Sequence, residues 1–190
     1  MHIIMGLIVG IGLSAACGFR IFVPLLGMNI ASLAGHLTLA PGFEWIGTWP
    51  ATIAFATATI IEIGAYYIPW VDNLIDTIAI PSSIVAGTII TASQMGEVSP
   101  LLKWSLAIIA GGGVCGAIQT GTAALRATST GTTGGFGNFL VSSIELICAV
   151  AMTFFAVVLP VLGLIVLIVG FSMLVTRISK SSSSSQSCPQ

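Results

Sequence analysis

GLSAACGFRIFVP, Gly12 to Pro24, is the stretch on which the reading turns. It holds Arg20 inside a run from Met1 to Leu39 with no other charged side chain, taking His2 and His36 as neutral. An arginine within or at the edge of hydrocarbon costs roughly 2.5 kcal/mol or more unless it is paired, hydrated or reaching the interface. Arg20 is therefore a site or an anchor. Pro24, four residues on, is expected to bend or end the helix that begins at Ile3.

The rest of the chain is written in the same alphabet. Its 190 residues are 56% hydrophobic and 6% charged, with mean hydropathy +1.09. Soluble domains carry about 25% charged residues, so this composition predicts an integral membrane protein, all-α, with about six spans at ~20 residues each. A net charge of −1 suggests no nucleic-acid partner. The expected partners are membrane lipids and further copies of the chain. Met1-His2-Ile3-Ile4-Met5 lacks the basic start of a cleaved signal, so the first apolar run reads as a retained span.

The spans follow from apolar runs and their stops. Span one is Ile3 to Arg20. Residues 21–39 stay apolar but hold Asn29, Ser32 and His36, and could continue obliquely, re-enter or lie in the interface. Trp45 and Trp49 read as interfacial anchors. Span two is Pro50 to Ile68, stopped by Pro69. An amphipathic stretch, Trp70 to Ile80, ends at Pro81. Span three is Ser82 to Met95, span four Trp104 to Arg126, span five Phe139 to Leu159, and span six Val161 to Thr176. Residues 1–180 form one membrane domain. Residues 181–190 are a serine-rich tail, read as disordered.

Two halves, 1–97 and 100–178, share a layout: a helix ending in arginine (Arg20; Arg126), a break, then a helix with Ile-Glu (Glu62; Glu145) that ends at proline. Three spans per half suggest an inverted repeat. The Lys and Arg pattern puts Arg126, Arg177 and Lys180 with both termini on the cytoplasmic side, and Arg20 and Lys103 outside.

Candidate site residues are the charges inside this apolar text. Glu62 and Glu145 fall within about 6 Å of the midplane at ~1.5 Å per residue; they can share a proton, bind a cation or pair with arginine, or be neutral and structural. Asp72 and Asp76, spaced i, i+4, are a cation or Arg126 partner, or the wet face of an interfacial helix. The stretch Ala127 to Asn138 reads as a loop. In it Ser129, Thr130, Thr132, Thr133, Gly134, Gly135 and Asn138 could form a nest for an anion or phosphate, or a plain polar loop. The glycines from Gly111 to Gly121 read as close helix packing, with Gln119 and Thr122 bonding between helices. Cys17, Cys115, Cys148 and Cys188 have no CxxC spacing, and neither HExxH nor Gly-x-Ser-x-Gly occurs. No metal, cofactor or catalytic set is expected, and the chain does not read as an enzyme.

At GLSAACGFRIFVPLL (Gly12 to Leu26), EIGAYYIPWVDNLIDT (Glu62 to Thr77) and RATSTGTTGGFGN (Arg126 to Asn138) the sequence resembles a bacterial membrane family, domain of unknown function 4126. The resemblance covers the chain to about Lys180. Gly137-Asn138-Phe139 departs from the family's Gly-Asn-Pro. The family implies a small polytopic inner-membrane protein and brings no substrate or catalytic residues. From the residues, the expected function is a small transporter or channel-like protein for an anionic or phosphate-bearing solute. The alternative is a lipid-interacting or membrane-assembly protein without solute flux.

Overall fold

The computed structural model describes residues 2–66, 68–96, 98–134 and 137–160, with 165, 168–170 and 172; side chains at 2, 69–74 and 76 are outside that set. Among the described residues the regular structure is helical. In order come α1 (His2–Cys17), α2 (Phe22–Leu33), a 3₁₀ turn (Glu44–Gly47), α3 (Trp49–Tyr66) and α4 (Pro69–Gln94). They are followed by α5 (Pro100–Leu106), a π segment (Ala107–Gly112), α6 (Gly113–Thr133) and α7 (Asn138–Val158). Three stretches are long and apolar enough to cross a membrane: Thr77–Gln94, Pro100–Thr133 and Asn138–Val158.

The surface is apolar, and polar and charged side chains are buried beside a hydrophobic core, unlike a soluble bundle. On α7 the exposed side chains include Phe139, Leu140, Ile144, Ile147 and Phe154, while Asn138, Ser142 and Glu145 are buried at helical spacing. Such a helix hides its polar stripe against other helices and offers hydrocarbon to its solvent, which marks a membrane protein.

α1 and α2 form a hairpin. Gly6, Gly10 and Ser14 of α1 lie against Gln94, Thr91 and Gly87 of α4, so the two helices are antiparallel. The chain turns at residues 18–21, and α2 returns until Met28 meets Ser93 and Gln94 near the level of Gly6. Asn29 ties the returning arm to the Ile46 and Thr48 carbonyls (3.1 Å for Thr48) and accepts from Thr52 Oγ1 at 2.7 Å. With 16 and 12 residues, each arm is shorter than the ~20 residues that hydrocarbon requires. The hairpin thus settles the open path of residues 21–33 as a return rather than a continuation.

The break falls at Gly18, not at the proline. A Cβ at Gly18 would stand 2.6 Å from Ile118 Cβ and 2.8 Å from the Cys115 carbonyl oxygen, so only glycine lets the tip approach α6. Pro24 instead occupies the first turn of α2, where its missing N–H costs little.

A hairpin that returns to its starting face shifts the direction of everything after it. α3 leaves that face, α4 comes back, and α5 through α6 leave again, with Gly111 facing Thr91 and Gly87, and Gly116 facing Ile84. Lys103 consequently lies at the end where α1 begins, 5.8 Å over the Phe43 ring, beside Trp104, not at the far end as the charge pattern suggested. α1 and α6 run the same way, whereas an inverted repeat relating Arg20 to Arg126 needs them opposed. Exposed Trp45, Trp49 and Trp104 gather at this end, as interfacial anchors do.

Two breaks read from the sequence are absent. α4 continues through Pro81, with Ser83 Oγ donating to the Ile80 carbonyl at 2.8 Å beside it. The threonine-rich stretch is helix to Thr133, because its hydroxyls bond back along the helix. Thr128 donates to Ala124, Thr132 to Thr128 and Thr133 to Ser129, at 2.8–2.9 Å. The helix stops only at Gly134, whose φ of +62° is the left-handed cap that glycine adopts freely. The sixth span is largely outside the described residues, as are Arg177, Lys180, Glu97 and the tail.

Candidate functional site

The hairpin tip is where the charges meet. Arg20 stands just past the C-terminus of α1 and is 1% exposed. Its Nη2 donates to the Ser142 carbonyl at 3.0 Å and lies 4.0 Å from Glu145 Oε2. Arg126, inside α6 rather than at its end, donates from Nη1 to the same Glu145 oxygen at 2.9 Å. Both guanidiniums lie over the Tyr66 ring, Arg20 Cζ at 4.1 Å and Arg126 Cζ at 4.4 Å from its centroid. Among the described residues, an aromatic ring on α3 and a carboxylate on α7 thus link two buried cations. The sequence had placed these arginines on opposite faces. The folded-back hairpin brings them into one cluster.

Glu62 completes the tip from the other side. Its Oε1 accepts from Ile21 N at 2.8 Å and its Oε2 from Phe22 N at 3.1 Å. These are N–H groups at the start of α2, where no helical partner exists and the macrodipole favours an anion. The cation Arg20 correspondingly sits at the carbonyl end of α1. The broken helix thus presents both of its inner ends to opposite charges, the arrangement seen where interrupted helices line sites within membranes.

The depth is asymmetric. Along α3, Trp49 to Glu62 rises roughly 20 Å at ~1.5 Å per residue, while Arg126 to Thr133 and Asn138 to Glu145 each rise roughly 10 Å. The cluster therefore lies well inside the bundle, nearer the α6–α7 turn than the tryptophan-rich end.

Not all donors in this interior are used. Arg20 Nε and Nη1, Gln119 Nε2 and Ser142 Oγ are buried without a hydrogen-bond partner among the described residues. Gln119 and Ser142 share the inward stripes of Arg126 on α6 and Glu145 on α7. Neither Ser142 nor Tyr66 stood out as a candidate from sequence. The signal was present as polar residues at helical spacing (Asn138, Ser142, Glu145) on an otherwise apolar helix. Among the described residues Thr122 bonds within its own helix rather than between helices: its hydroxyl donates to the Gln119 carbonyl at 3.0 Å.

The remaining candidates are on α4 and at the α6–α7 turn. Asp72 and Asp76 belong to α4, with side chains outside the described set. Ser129, Thr130, Thr132 and Thr133 are helical, so their backbone N–H groups cannot converge as a nest; Asn138 Nδ2 donates to Thr130 Oγ1 at 2.8 Å. Gly134 caps that helix, and Gly135 is outside the described residues.

Beside the tip, α2, α3 and α4 leave an apolar groove of about 440 Å³. Its walls run from Trp45, which packs on Phe55 at 6.2 Å, to Ile21 and Phe22 at the tip itself.

No curated protein and no solved structure matches the chain. Residues 7–180 match the family described as "Domain of unknown function (DUF4126)". With nearly its whole length covered, the chain belongs to the DUF4126 family.

Proposed function

We propose that the protein is a small transporter or channel-like protein of the bacterial inner membrane that passes an anionic solute by way of Arg20. One observation carries this reading: a fully buried guanidinium at the tip of a broken helix, with Nε and Nη1 unpartnered among the described residues. A buried charged donor left unmet costs more than an ordinary hydrogen bond returns. An anion that meets those donors recovers that cost inside the bundle. Arg126 and Glu145 brace the site, and Glu62 fixes the start of α2.

Flux into proteoliposomes tests it. The probes are radiolabelled chloride, inorganic phosphate, and alkyl sulfonates from methyl to dodecyl, which keep their charge and so do not cross lipid as neutral acids. Saturable uptake of at least one probe is expected, lowered at least about tenfold by Arg20→Gln, since a hydrogen bond to a charged group is worth ~1.5 kcal/mol or more. Lys103→Gln should leave it unchanged. No uptake above protein-free liposomes for any probe overturns transport, and favours the assembly role if lipid is retained through native mass spectrometry.

A further inference from the structure

We infer that Tyr66 is the positioning residue of the tip: the negative face of its ring, more than the Glu145 carboxylate, seats Arg20 inside the bundle. The transport reading above concerns what Arg20 meets. This inference goes beyond it and concerns what holds Arg20 in place.

The seat is built on one face of α3. Phe55, Thr59, Glu62 and Tyr66 are buried there, three or four residues apart. Glu62 and Tyr66 are therefore neighbours, one turn from each other. Glu62 takes the amides of Ile21 and Phe22, and the Tyr66 ring lies against Arg20, with Cζ 4.1 Å from its centroid. A single turn of α3 thus seats three consecutive residues of the tip, Arg20, Ile21 and Phe22.

The two arginines are held unequally. Arg126 Nη1 stands 2.9 Å from Glu145 Oε2, whereas Arg20 Nη2 stands 4.0 Å from that same oxygen. The ring is nearer to Arg20, at 4.1 Å against 4.4 Å for Arg126. Among the described residues Arg20 makes one hydrogen bond, to the neutral Ser142 carbonyl at 3.0 Å. Two like charges in a dry interior repel each other, and a carboxylate oxygen engaged first by Arg126 offsets little of that for Arg20. The ring supplies the remainder. A cation within ~6 Å of an aromatic centroid is attracted by the ring quadrupole, most strongly where water is excluded. Tyr66 is 3% exposed and Arg20 1%, so both partners meet that condition. A leucine would fill much of the space and supply no negative face.

Fluorination separates charge from bulk, because each fluorine on the ring weakens its negative face and changes its size little. Full-length protein in non-ionic detergent is made as Tyr66→Phe, and as that variant with one, two or three fluorines on the ring. Phenylglyoxal, which modifies arginine, is the probe, and peptide mass spectrometry reads Arg20 and Arg126 in the same sample. A buried guanidinium reacts only while its surroundings open, so the rate reports the open fraction. Arg20 should react faster with each added fluorine, and roughly tenfold faster at three. Arg126, with its 2.9 Å bond to Glu145, should change less. Tyr66→Leu should release Arg20 at least as far as the trifluorinated ring does.

An Arg20 rate that does not move with fluorine count overturns the inference. So does Tyr66→Leu matching Tyr66→Phe, or Arg126 rising as much as Arg20. The probe needs no solute, so a flat series leaves the transport reading standing. A graded series in a protein that takes up no anion supports the seat and overturns transport.

Discussion

At the scale of single residues, the tip is a set of charges that stabilise one another only as a group. Removing one member leaves another buried and exposed to a dry interior, which for ion pairs costs ~3–5 kcal/mol. Arg126→Gln and Glu145→Gln should therefore each lower thermal stability in detergent by about that much. The double variant should lose clearly less than the sum, since the two touch through a 2.9 Å bond. Simple additivity in a double-mutant cycle would remove the pair from the account. Glu62 acts differently, as a cap. Glu62→Gln keeps one acceptor oxygen where two are used and should cost about 1–2 kcal/mol, in the range of lost helix caps. Its signature is local: hydrogen exchange should quicken at the amides of Ile21 and Phe22 and not at the base of the hairpin. These four residues were legible in sequence, because a charge in apolar text announces itself. Their partnerships were not legible. Arg20 and Ser142 are 122 positions apart, and no local pattern ties them.

At the scale of elements, the helices approach through glycine. A Cβ on Gly87 would lie 2.6 Å from Cys115 Cβ and 2.9 Å from the Gly111 carbonyl oxygen, so Gly87→Ala must push α4 away from the π segment and α6. It should destabilise by about 1–3 kcal/mol, the usual cost of overpacking. Gly121, with nothing near its missing Cβ, is the control: Gly121→Ala should be neutral or stabilise by up to ~1 kcal/mol, because alanine is the better helix former. Thermal unfolding of both variants decides, and equal effects would contradict this packing. The sequence showed the glycine stripe as packing but could not rank its members. It also misplaced two boundaries for one reason. Proline at 81 and the threonines of 127–133 are breakers in water. In an apolar bundle, hydroxyls that bond back to the helix and neighbouring helices keep such segments helical.

At the scale of the whole molecule, the hairpin decides which loops share a side. The segments around Gly42 and Ser99 should lie at one end, and Thr132 at the other. In a background without native cysteines, a membrane-impermeant maleimide applied to sealed vesicles should label Gly42→Cys and Ser99→Cys from the same side, and Thr132→Cys only from the opposite one. Thr132 labelled together with Ser99 would overturn the antiparallel order. Span counting by hydropathy found nearly every helix. It lost the direction of travel because a helix of 12 residues that turns back looks, as text, like the tail of the helix before it.

The hairpin also has a consequence in time. The hairpin is synthesised well before α7, yet Arg20 waits for a carbonyl 122 residues further along. At ~5–20 residues per second, roughly 6–24 s of elongation separate the two. The hairpin tip is thus seated only once α7 has been made, and a nascent chain arrested before α7 must keep its arginine in water, in the insertion machinery or against lipid headgroups.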